Sequence, residues 1–373
     1  MRKQLILIGG GHAHMMVLEN IGRFVEKGYK VTVIAPSFYH YYSGMGPGML
    51  GGTYQPSDIR FATEKVVRKQ GGVFVNDSAV RIDARKKQVH TASNHVFDYD
   101  VLSVNAGSYV PMQKIPDNAQ NIYPVKPIEK LMEAAEKLST LFKQRKITVS
   151  IIGGGPSSAE IAGNVWQLAG KTKKWMPEIQ ILAGRKFMAR FSEKVRTRVI
   201  KRLEKRGVQI LETGYVKDIQ PDMITLDSGQ TLSTDFIFMA TGVKPSVLFE
   251  DSHLPIGPDK GLLVNTYLQS VSTPDIFGGG DCICFQDQPL DKVGVYAVRQ
   301  NPILLHNILA QLEGKELVPF EPGPEYLLIF NLGGRQGVLK KKSLVFSGQL
   351  AFWIKDYIDR KFMKKFQAIE TLL

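Results

Sequence analysis

Apolar and polar positions along the first 35 residues follow the pattern of a strand, a tight turn, a helix and a second strand. Residues 5–8 form a short apolar run that ends at three consecutive glycines. Apolar residues then recur at helical spacing from Met15 to Phe24, and residues 30–35 form a second apolar run. A βαβ unit of about 30 residues, with a glycine turn after its first strand, is typical of dinucleotide-binding folds.

The same pattern returns in the middle of the chain. The β-branched run 147–152 leads into Gly153-Gly154-Gly155, a predicted helix as far as Leu168 and another strand over residues 178–182. Two glycine turns in strand–turn–helix context are far more specific than one. The sequence therefore predicts an α/β fold with two Rossmann-like dinucleotide-binding domains.

Composition agrees with a folded protein of two or three domains. The chain has 373 residues, 43% of them hydrophobic, with 48 Lys and Arg against 35 Asp and Glu, a net charge of +13. Two cysteines exclude a disulfide scaffold and favour a reducing compartment. The apolar runs are much shorter than the ~20 residues of a membrane-spanning helix, and the first run is too short for a secretory signal. We expect an intracellular protein that is soluble or bound to a membrane surface.

The glycine turns predict where the phosphates bind, because they allow close backbone approach and lead into a helix N-terminus. In the first turn we expect Gly9, Gly11, His12 and Ala13 at the cofactor. The third position of the G-x-G-x-x-G pattern is His14, which either lies under the cofactor or moves the helix outward. We interpret both histidines as polar residues near the phosphate and not as catalysts. In the second turn the expected contacts are Gly153, Gly155, Ser157 and Ser158.

Neither unit has the acid that usually binds the adenosine ribose at the end of the second strand. The first unit has Ser37 near this position, which we expect to make a weaker hydrogen bond. The second unit has Ala183, Gly184 and Arg185. NADPH therefore remains open beside NADH; alternatively, Arg185 only caps a surface loop.

The order of these features resembles the flavoproteins with two dinucleotide-binding domains, the pyridine nucleotide-disulfide oxidoreductase superfamily. Three further motifs carry the resemblance: Asn105-Ala106-Gly107-Ser108, Ala240-Thr241-Gly242, and the glycine-acid segment that ends at Asp281. The resemblance covers residues 3–315. It implies a discontinuous FAD-binding domain (residues 1–106 and 245–320), an NAD(P)H-binding domain (107–244) and a C-terminal segment (321–373) that contacts a membrane or a second subunit.

The resemblance also implies further binding residues. Asp281 is expected at the ribityl or pyrophosphate region of FAD. The other implied FAD contacts are Val80, Asn105, Ala106, Gly107, Gly280, Lys292, Val293, Gly294 and Tyr296, and the NAD(P)H contacts are Arg185, Thr241 and Gly242. No metal site is expected.

Within the superfamily, the chain most resembles the flavoprotein domain fused to selenophosphate synthetase, and also type II NADH dehydrogenases and sulfide:quinone oxidoreductases. The first resemblance rests on four segments: residues 9–14, residues 42–48, residues 292–300, and the stretch from Trp353 to Phe366. It implies that His14 and Ala35 are traits of that subfamily.

The sequence lacks the C-x-x-C or C-x4-C pair of disulfide reductases, and no cysteine precedes Cys282. This argues against a thiol relay and against sulfide:quinone chemistry, and we interpret Cys282 and Cys284 as buried or incidental. What remains is hydride transfer from nicotinamide to FAD and then to a diffusible acceptor. We expect two catalytic residues: Lys292, which would stabilise reduced flavin, and Glu160, which would face the nicotinamide–flavin junction. The alternatives are a solvated loop lysine and a structural acid near a helix start.

The aromatic stretch of residues 39–43 precedes a Gly/Pro/Met-rich loop that, by the resemblance, passes near the flavin. We interpret it as part of the acceptor pocket or, alternatively, as core packing.

The end of the chain predicts a basic amphipathic helix. Apolar residues recur at helical spacing over residues 350–366, and we expect the charged side chains, Lys355 and Asp359 among them, mainly on the opposite face. Residues 340–365 hold eight Lys or Arg and two acids, a net +6. Such a helix fits an anionic membrane surface; the alternative is docking on the FAD domain or in a homodimer. Nucleic-acid binding is not expected, because no nucleic-acid-binding module accompanies the charge.

Together these features predict an FAD-dependent NAD(P)H dehydrogenase that passes electrons to a quinone-type acceptor. We expect it in the cytoplasm, peripheral on the inner face of the membrane. The rival interpretations are a flavin oxidoreductase acting on sulfur or selenium compounds, and a flavin-bound redox sensor or scaffold with slow turnover.

Overall fold

The computed structural model describes residues 2–112, 115 and 120–372, and two β-sheets organise them. The first sheet has the spatial order Val73–Asn76, Lys30–Ala35, Gln4–Ile8, Val101–Val104, Thr273–Gly278, Gln269–Ser270, Leu262–Val264 and Ile283–Phe285. Its first five strands are parallel. Residues 5–8 are buried on both faces, which explains their continuous apolar run.

The second sheet is parallel throughout. Its spatial order is Gln209–Leu211, Glu178–Leu182, Thr148–Ile152, Phe236–Met239 and Ile122–Pro124. Both predicted strand–turn–helix units are thus confirmed, one in each sheet.

Helices and small antiparallel sheets complete the two halves. Those of the first half are Met15–Glu19, Ile21–Glu26, Thr63–Lys69, Leu248–Asp251 and Gly294–Glu313, with the small sheet Ala79–Asp83, Gln88–Thr91 and Val96–Asp98. Those of the second half are Glu129–Gln144, Pro156–Thr172 and Glu193–Glu204, with the small sheet Val216–Ile219, Met223–Leu226 and Thr231–Ser233. The two-residue strands Ser108–Tyr109 and Lys244–Pro245 pair where the chain passes between the halves. Single-turn 3-10 helices form at His12–His14, Ser43–Met45 and Gly280–Cys282.

A segment that follows the second strand crosses from the first half to the second. It contains the strand His40–Tyr41, which pairs with Arg60–Phe61, and the short helices Gly46–Leu50 and Pro56–Ile59. Its buried side chains belong to the apolar core of the second half; they are Tyr41, Met45, Met49, Leu50, Tyr54 and Ile59. The interior of the second half is therefore completed by chain from the first.

The C-terminal segment is a three-stranded antiparallel sheet followed by helices. The strands are Leu328–Asn331, Gly337–Lys341 and Leu344–Gly348, and the helices are Gln349–Gln367, which we call the C-terminal helix, and Ile369–Leu372. Its backbone lies directly against the helix Pro156–Thr172. A Cβ added at Gly163 would stand 2.1 Å from the carbonyl oxygen of Leu332, so only glycine permits this approach.

The C-terminal helix differs from the single apolar stripe that the sequence predicts. Met363 and Phe366 are buried, whereas Leu350, Trp353 and Tyr357 are exposed. The prediction that Lys355 and Asp359 lie on the solvent face is wrong, because their side chains are only 11% and 5% exposed and form an ion pair with each other. The helix packs on its inner side against both halves and leaves a second apolar face in solvent.

Candidate active site

A cavity of about 390 Å³ opens at the carboxyl ends of the parallel strands of the first sheet. This is where ligands bind in open α/β folds. Many of the predicted cofactor-binding residues line it: Gly9, Gly11, His12, Ser37, Asn105, Ala106, Gly107, Gly280, Asp281 and Gly294. Gly9 has φ +83°, and its amide donates to the carbonyl of Ile34 at 2.8 Å, which turns the chain at the end of the first strand.

Asn105 holds three of the predicted motifs together. Its side-chain Oδ1 accepts a hydrogen bond from the backbone N–H of Ala13 at 3.2 Å, and its Nδ2 donates to the carbonyl of Gly279 at 2.6 Å. A Cβ at Gly11 would stand 2.1 Å from this Oδ1. The first glycine turn, the strand end at Asn105 and the glycine-acid segment are therefore fixed by one buried amide.

Asp281 forms an ion pair on the cavity wall. The Lys126 Nζ lies 2.7 Å from the Oδ2 of Asp281, and the Ser108 hydroxyl donates to the same oxygen at 2.8 Å. Burial alone would raise the pKa of Asp281, but the Lys126 ammonium and these hydrogen bonds hold that pKa below its usual value. The carboxyl is thus ionised and oriented, as hydrogen bonding to a hydroxyl-rich ligand requires.

Sequence reasoning missed Lys126 and its neighbours Pro127, Ile128 and Glu129, which also line the cavity. They follow the strand Ile122–Pro124, so they stand at the carboxyl end of a parallel strand. The apolar residues before Lys126 indicate a strand, but this strand is only three residues long and is therefore easily missed in the sequence.

The contacts of the His14 side chain explain why histidine stands at the third position of the glycine pattern. The ring is fully buried, with Nδ1 2.7 Å from the Gly9 carbonyl and Nε2 2.8 Å from the Ser103 hydroxyl. Burial lowers the pKa of His14 to about 4, so the ring is neutral and bridges the glycine turn to the strand Val101–Val104. A ring that hydrogen-bonds to both elements takes the place of the usual close glycine packing.

His12 lines the cavity in contact with a second histidine. Its Nδ1 lies 3.1 Å from the Nε2 of His40, and the ring also packs near Tyr42 and Phe362. Burial lowers the pKa of both histidines, that of His40 to about 4, so the pair is neutral. Tyr39, His40, Tyr41 and Ser43 also line the cavity, which agrees with a pocket role for this stretch, while Tyr41 packs in the core as well.

Five of the predicted FAD contacts lie outside the lining of the cavity: Ala13, Val80, Lys292, Val293 and Tyr296. Ala13 is fully buried, and its amide donates to Asn105. Lys292 donates to the carbonyl of Ile283 and pairs with Asp259 at 2.7 Å. Tyr296 packs on Tyr326, and Val293 caps the helix Gly294–Glu313. The Val80 side chain is exposed, whereas its neighbours Ser78 and Ala79 line the cavity. The ammonium that the structure brings to the cavity is that of Lys126, in place of Lys292.

The second glycine turn has its own cradle in the second sheet. Gly153 has φ +142°, and an added Cβ would stand 2.1 Å from the carbonyl oxygen of Ala240, which precedes the predicted contacts Thr241 and Gly242. Gly155 caps the helix Pro156–Thr172 and has open space where a side chain would be. The turn therefore opens directly into a helix N-terminus, an arrangement suited to binding a phosphate.

Glu160, on this same helix, is half-buried against the C-terminal segment. Its Oε1 accepts a hydrogen bond from the backbone N–H of Asn331 at 2.8 Å. Burial raises the pKa of Glu160 to about 7, against the opposing charge of Lys355. A carboxyl that titrates near neutrality is suited to taking up and releasing protons.

A largely buried polar cluster, formed by Tyr42, Glu160, Lys355 and Asp359, joins the C-terminal helix to both halves. The Lys355 Nζ lies 2.7 Å from the Oδ2 of Asp359 and donates to the carbonyl of Gly44 at 2.8 Å. The Tyr42 hydroxyl donates to the Oδ1 of Asp359 at 3.1 Å. The sequence predicts a catalytic role for Glu160 and a pocket role for Tyr42, but it does not predict that the four residues meet, because they come together only through tertiary folding.

Both turns fit a bound dinucleotide. The Thr63 hydroxyl on the cavity wall and the Ser158 hydroxyl beside the second turn are buried without a hydrogen-bond partner among the described residues. Buried hydroxyls of this kind require a partner, and phosphate or ribose oxygens would supply one.

Comparison with known families decides the assignment. The family model for pyridine nucleotide-disulphide oxidoreductases matches residues 3–308. The chain belongs to this family. The predicted fold class is thereby confirmed, as are the predicted cofactors, FAD together with NADH or NADPH.

Individual relatives in this pyridine nucleotide-disulphide oxidoreductase family match along nearly the whole chain. A type II NADH:quinone oxidoreductase of Staphylococcus aureus is 23% identical, covering 99% of this chain and 97% of that protein. The sulfide:quinone oxidoreductase of Aquifex aeolicus has a TM-score of 0.75 at 18% identity, covering 98% of this chain and 92% of that one. NDH2 of Plasmodium falciparum in complex with NADH has a TM-score of 0.78 at 15% identity, covering 99% and 98%. These relatives belong to two of the three protein classes that the sequence predicts, the type II NADH dehydrogenases and the sulfide:quinone oxidoreductases; the resemblance to the flavoprotein domain fused to selenophosphate synthetase stays a prediction.

The cysteines of this oxidoreductase lie apart from the cavity lining. Cys282 is buried, with its thiol 3.2 Å from the Gly279 carbonyl, and burial raises its pKa to about 11. Cys284 is half-buried, and burial raises its pKa as well. Both thiols are thus protonated at neutral pH, as expected of residues without a redox role.

Proposed function

We propose that this chain is an FAD-dependent NAD(P)H dehydrogenase that passes electrons to a quinone-type acceptor without a protein dithiol. The observation that carries the proposal is the pairing of two dinucleotide cradles in one chain whose two cysteines both lie outside the cavity lining. Similarity along 99% of the chain to a type II NADH:quinone oxidoreductase supports it.

In this proposal the first cavity holds FAD. The backbone of the first glycine turn would approach its pyrophosphate, while Asp281 would accept hydrogen bonds from its ribityl hydroxyls. Bound FAD supplies the two-electron exchange between nicotinamide and acceptor. Lys126, 2.7 Å from Asp281, adds a positive charge on the same wall, where it stabilises negative charge that develops on the ligand.

Glu160 serves as the proton-handling group in this proposal. Its helix begins at the second glycine turn, and its pKa of about 7 allows both protonation states at neutral pH. Lys355, which faces it across the polar cluster, limits how far burial raises that pKa.

The exposed face of the C-terminal helix supports contact with an anionic membrane surface. Leu350, Trp353, Tyr357 and Ile358 are between 43% and 66% exposed, and Lys361, Lys364 and Lys365 are exposed as well. Apolar and aromatic side chains beside lysines are suited to the interface of a bilayer. Phe362, on the inner side of the same helix, contacts His12 at the cavity, so a lipid-soluble acceptor would meet the site close to this surface. None of the helices in the described part of the chain is long and apolar enough to cross a membrane.

We expect anaerobic mixing with NADH or NADPH to bleach the visible flavin absorbance of the holoprotein. A short-chain quinone added afterwards should restore the absorbance, because oxidised acceptor takes up both electrons and two protons. Stopped-flow absorbance measures both steps. A flavin that neither nucleotide reduces would contradict the proposal, and a flavin reduced by nucleotide but not reoxidised by quinone would contradict the acceptor.

Replacing Leu350, Trp353 and Tyr357 together by serine should abolish flotation with anionic liposomes. Each fully buried side chain contributes about 1.5–3 kcal/mol, so the loss should exceed 100-fold, while the thermal midpoint changes little because the residues are exposed. The matched control replaces the exposed pair Trp175 and Met176, away from this helix. Undiminished flotation of the triple variant would exclude this face as the membrane contact. A triple variant that floats as before but has a different molar mass in solution would indicate that this face forms a homodimer instead.

A further inference from the structure

The end of the second strand in the second sheet carries an arginine and an exposed aromatic ring. The strand Glu178–Leu182 runs into Ala183, and Gly184 follows with φ +73°. The carbonyl of Ala183 lies close to the second glycine turn, since a Cβ at Gly154 would stand 2.5 Å from it. In a dinucleotide-binding unit this position lies beside the adenosine ribose.

Carboxylates near this position are already engaged with protein groups. Glu212 accepts hydrogen bonds from the backbone N–H of Phe187 at 2.6 Å and from Arg196 at 3.1 Å. Asp227 accepts from the backbone N–H of Tyr215 at 3.1 Å. Neither is placed at the strand end itself, where an acid would bind the 2′-hydroxyl and repel a 2′-phosphate.

Arg185 is an exposed cation at this strand end. The side chain is exposed and forms no ion pair with any residue that the structure describes. Its neighbour Lys186, by contrast, pairs with Glu193 at 3.2 Å. A guanidinium presents a planar set of donors that matches the oxygens of a phosphate.

Tyr215 supplies an aromatic face next to this guanidinium. Its ring is 55% exposed, and the Arg185 Cζ lies 5.8 Å from the ring centroid. A Cβ at Gly184 would stand 2.7 Å from the Tyr215 Cε1, so glycine at 184 lets the ring lie against the strand end. The backbone bridge between Gly184 and Gly214 fixes this arrangement.

We propose that this surface binds the 2′-phosphoadenosine end of NADPH, with Arg185 on the 2′-phosphate and Tyr215 against the adenine. NADPH is then the preferred electron donor. The role of NADPH as electron donor rests on the proposed function, but binding of adenosine nucleotides at this surface is measurable without any turnover.

The test compares binding of 2′,5′-ADP and 5′-AMP to the holoprotein by isothermal titration calorimetry. The two ligands differ by the 2′-phosphate, so we expect 2′,5′-ADP to bind at least 10-fold more tightly. Arg185→Gln should remove this difference and leave 5′-AMP binding unchanged. Tyr215→Ala should weaken both ligands by a similar factor, because both carry the adenine.

Arg198→Gln is the matched control, since it removes an equal charge from an exposed position on the helix Glu193–Glu204. It should keep the full preference for 2′,5′-ADP. Equal affinities of the natural protein for both ligands, or a preference that survives Arg185→Gln, would overturn the inference. Flavin reduction that is faster with NADH than with NADPH would also overturn it and leave the proposed function standing. Failure of both nucleotides to reduce the flavin would remove the proposed function, while the calorimetric comparison would still decide the site.

Discussion

Replacing Lys355 by methionine is expected to lower the free energy of unfolding by about 3–5 kcal/mol. The Lys355 side chain is 11% exposed, and its ammonium pairs with Asp359, which is 5% exposed. The substitution leaves that carboxylate buried without its counter-ion and removes the hydrogen bond to the Gly44 carbonyl. Loss of the ammonium should also raise the pKa of Glu160 above its value of about 7, because Lys355 opposes the effect of burial there.

Thermal and urea unfolding followed by circular dichroism measure this effect. The matched control is Lys361→Met, which removes the same charge from an exposed position of the C-terminal helix and should change stability by less than about 0.5 kcal/mol. The double variant Lys355→Met with Asp359→Leu should recover part of the loss, since no unpaired charge stays buried. A Lys355 variant as stable as the Lys361 control would show that the pair contributes nothing.

Asn105→Ala is expected to yield protein that has lost most of its flavin. The substitution leaves the N–H of Ala13 and the carbonyl of Gly279 without their buried partner, at a cost of about 1–3 kcal/mol for each group. If about 2 kcal/mol of this cost weakens FAD binding, the FAD dissociation constant rises about 30-fold. The ratio of flavin to protein absorbance and a titration of apoprotein with FAD measure the change.

Two further variants test whether the Asn105 side chain is the cause of this flavin loss. Asn105→Asp keeps the acceptor for Ala13 but loses the donor to Gly279, so an intermediate flavin content is expected. Asn20→Ala removes an amide that donates to the carbonyl of Met16 within the first unit, outside the cavity lining, and should retain flavin fully. Full flavin content in Asn105→Ala would refute the role assigned to this side chain.

The sequence was most informative where structure is local. The two glycine turns follow buried strands and open helices within a few residues, so their pattern alone predicts both cradles. The family motifs identify Asn105 and Asp281. The hydrogen bonds of Asn105 explain why these motifs occur together, because its side-chain amide connects three of them.

The groups that sequence reasoning missed depend on long-range contacts. Lys126 pairs with Asp281 across 155 positions of the chain, and nothing beside Lys126 in the sequence identifies its partner. Lys355 and Asp359 have the i, i+4 spacing of a solvent-exposed pair, and only the packing of their helix against both halves buries them. The family resemblance predicts Lys292 at the flavin, yet Lys292 lies outside the cavity lining and pairs with Asp259, which has no local signal in the sequence.

The crossing segment from Tyr41 to Ile59 has a consequence for electron transfer. Domains of one chain move freely when their interface is small and polar, but here Met45, Met49 and Leu50 are buried in the core beneath the second sheet. The first half thus contributes buried apolar side chains to the core of the second half, and this packing fixes the two dinucleotide cradles relative to each other. Donor and flavin would meet at a distance already set when the chain folds, so turnover requires the nucleotide to arrive and leave, without a closing movement of one half upon the other.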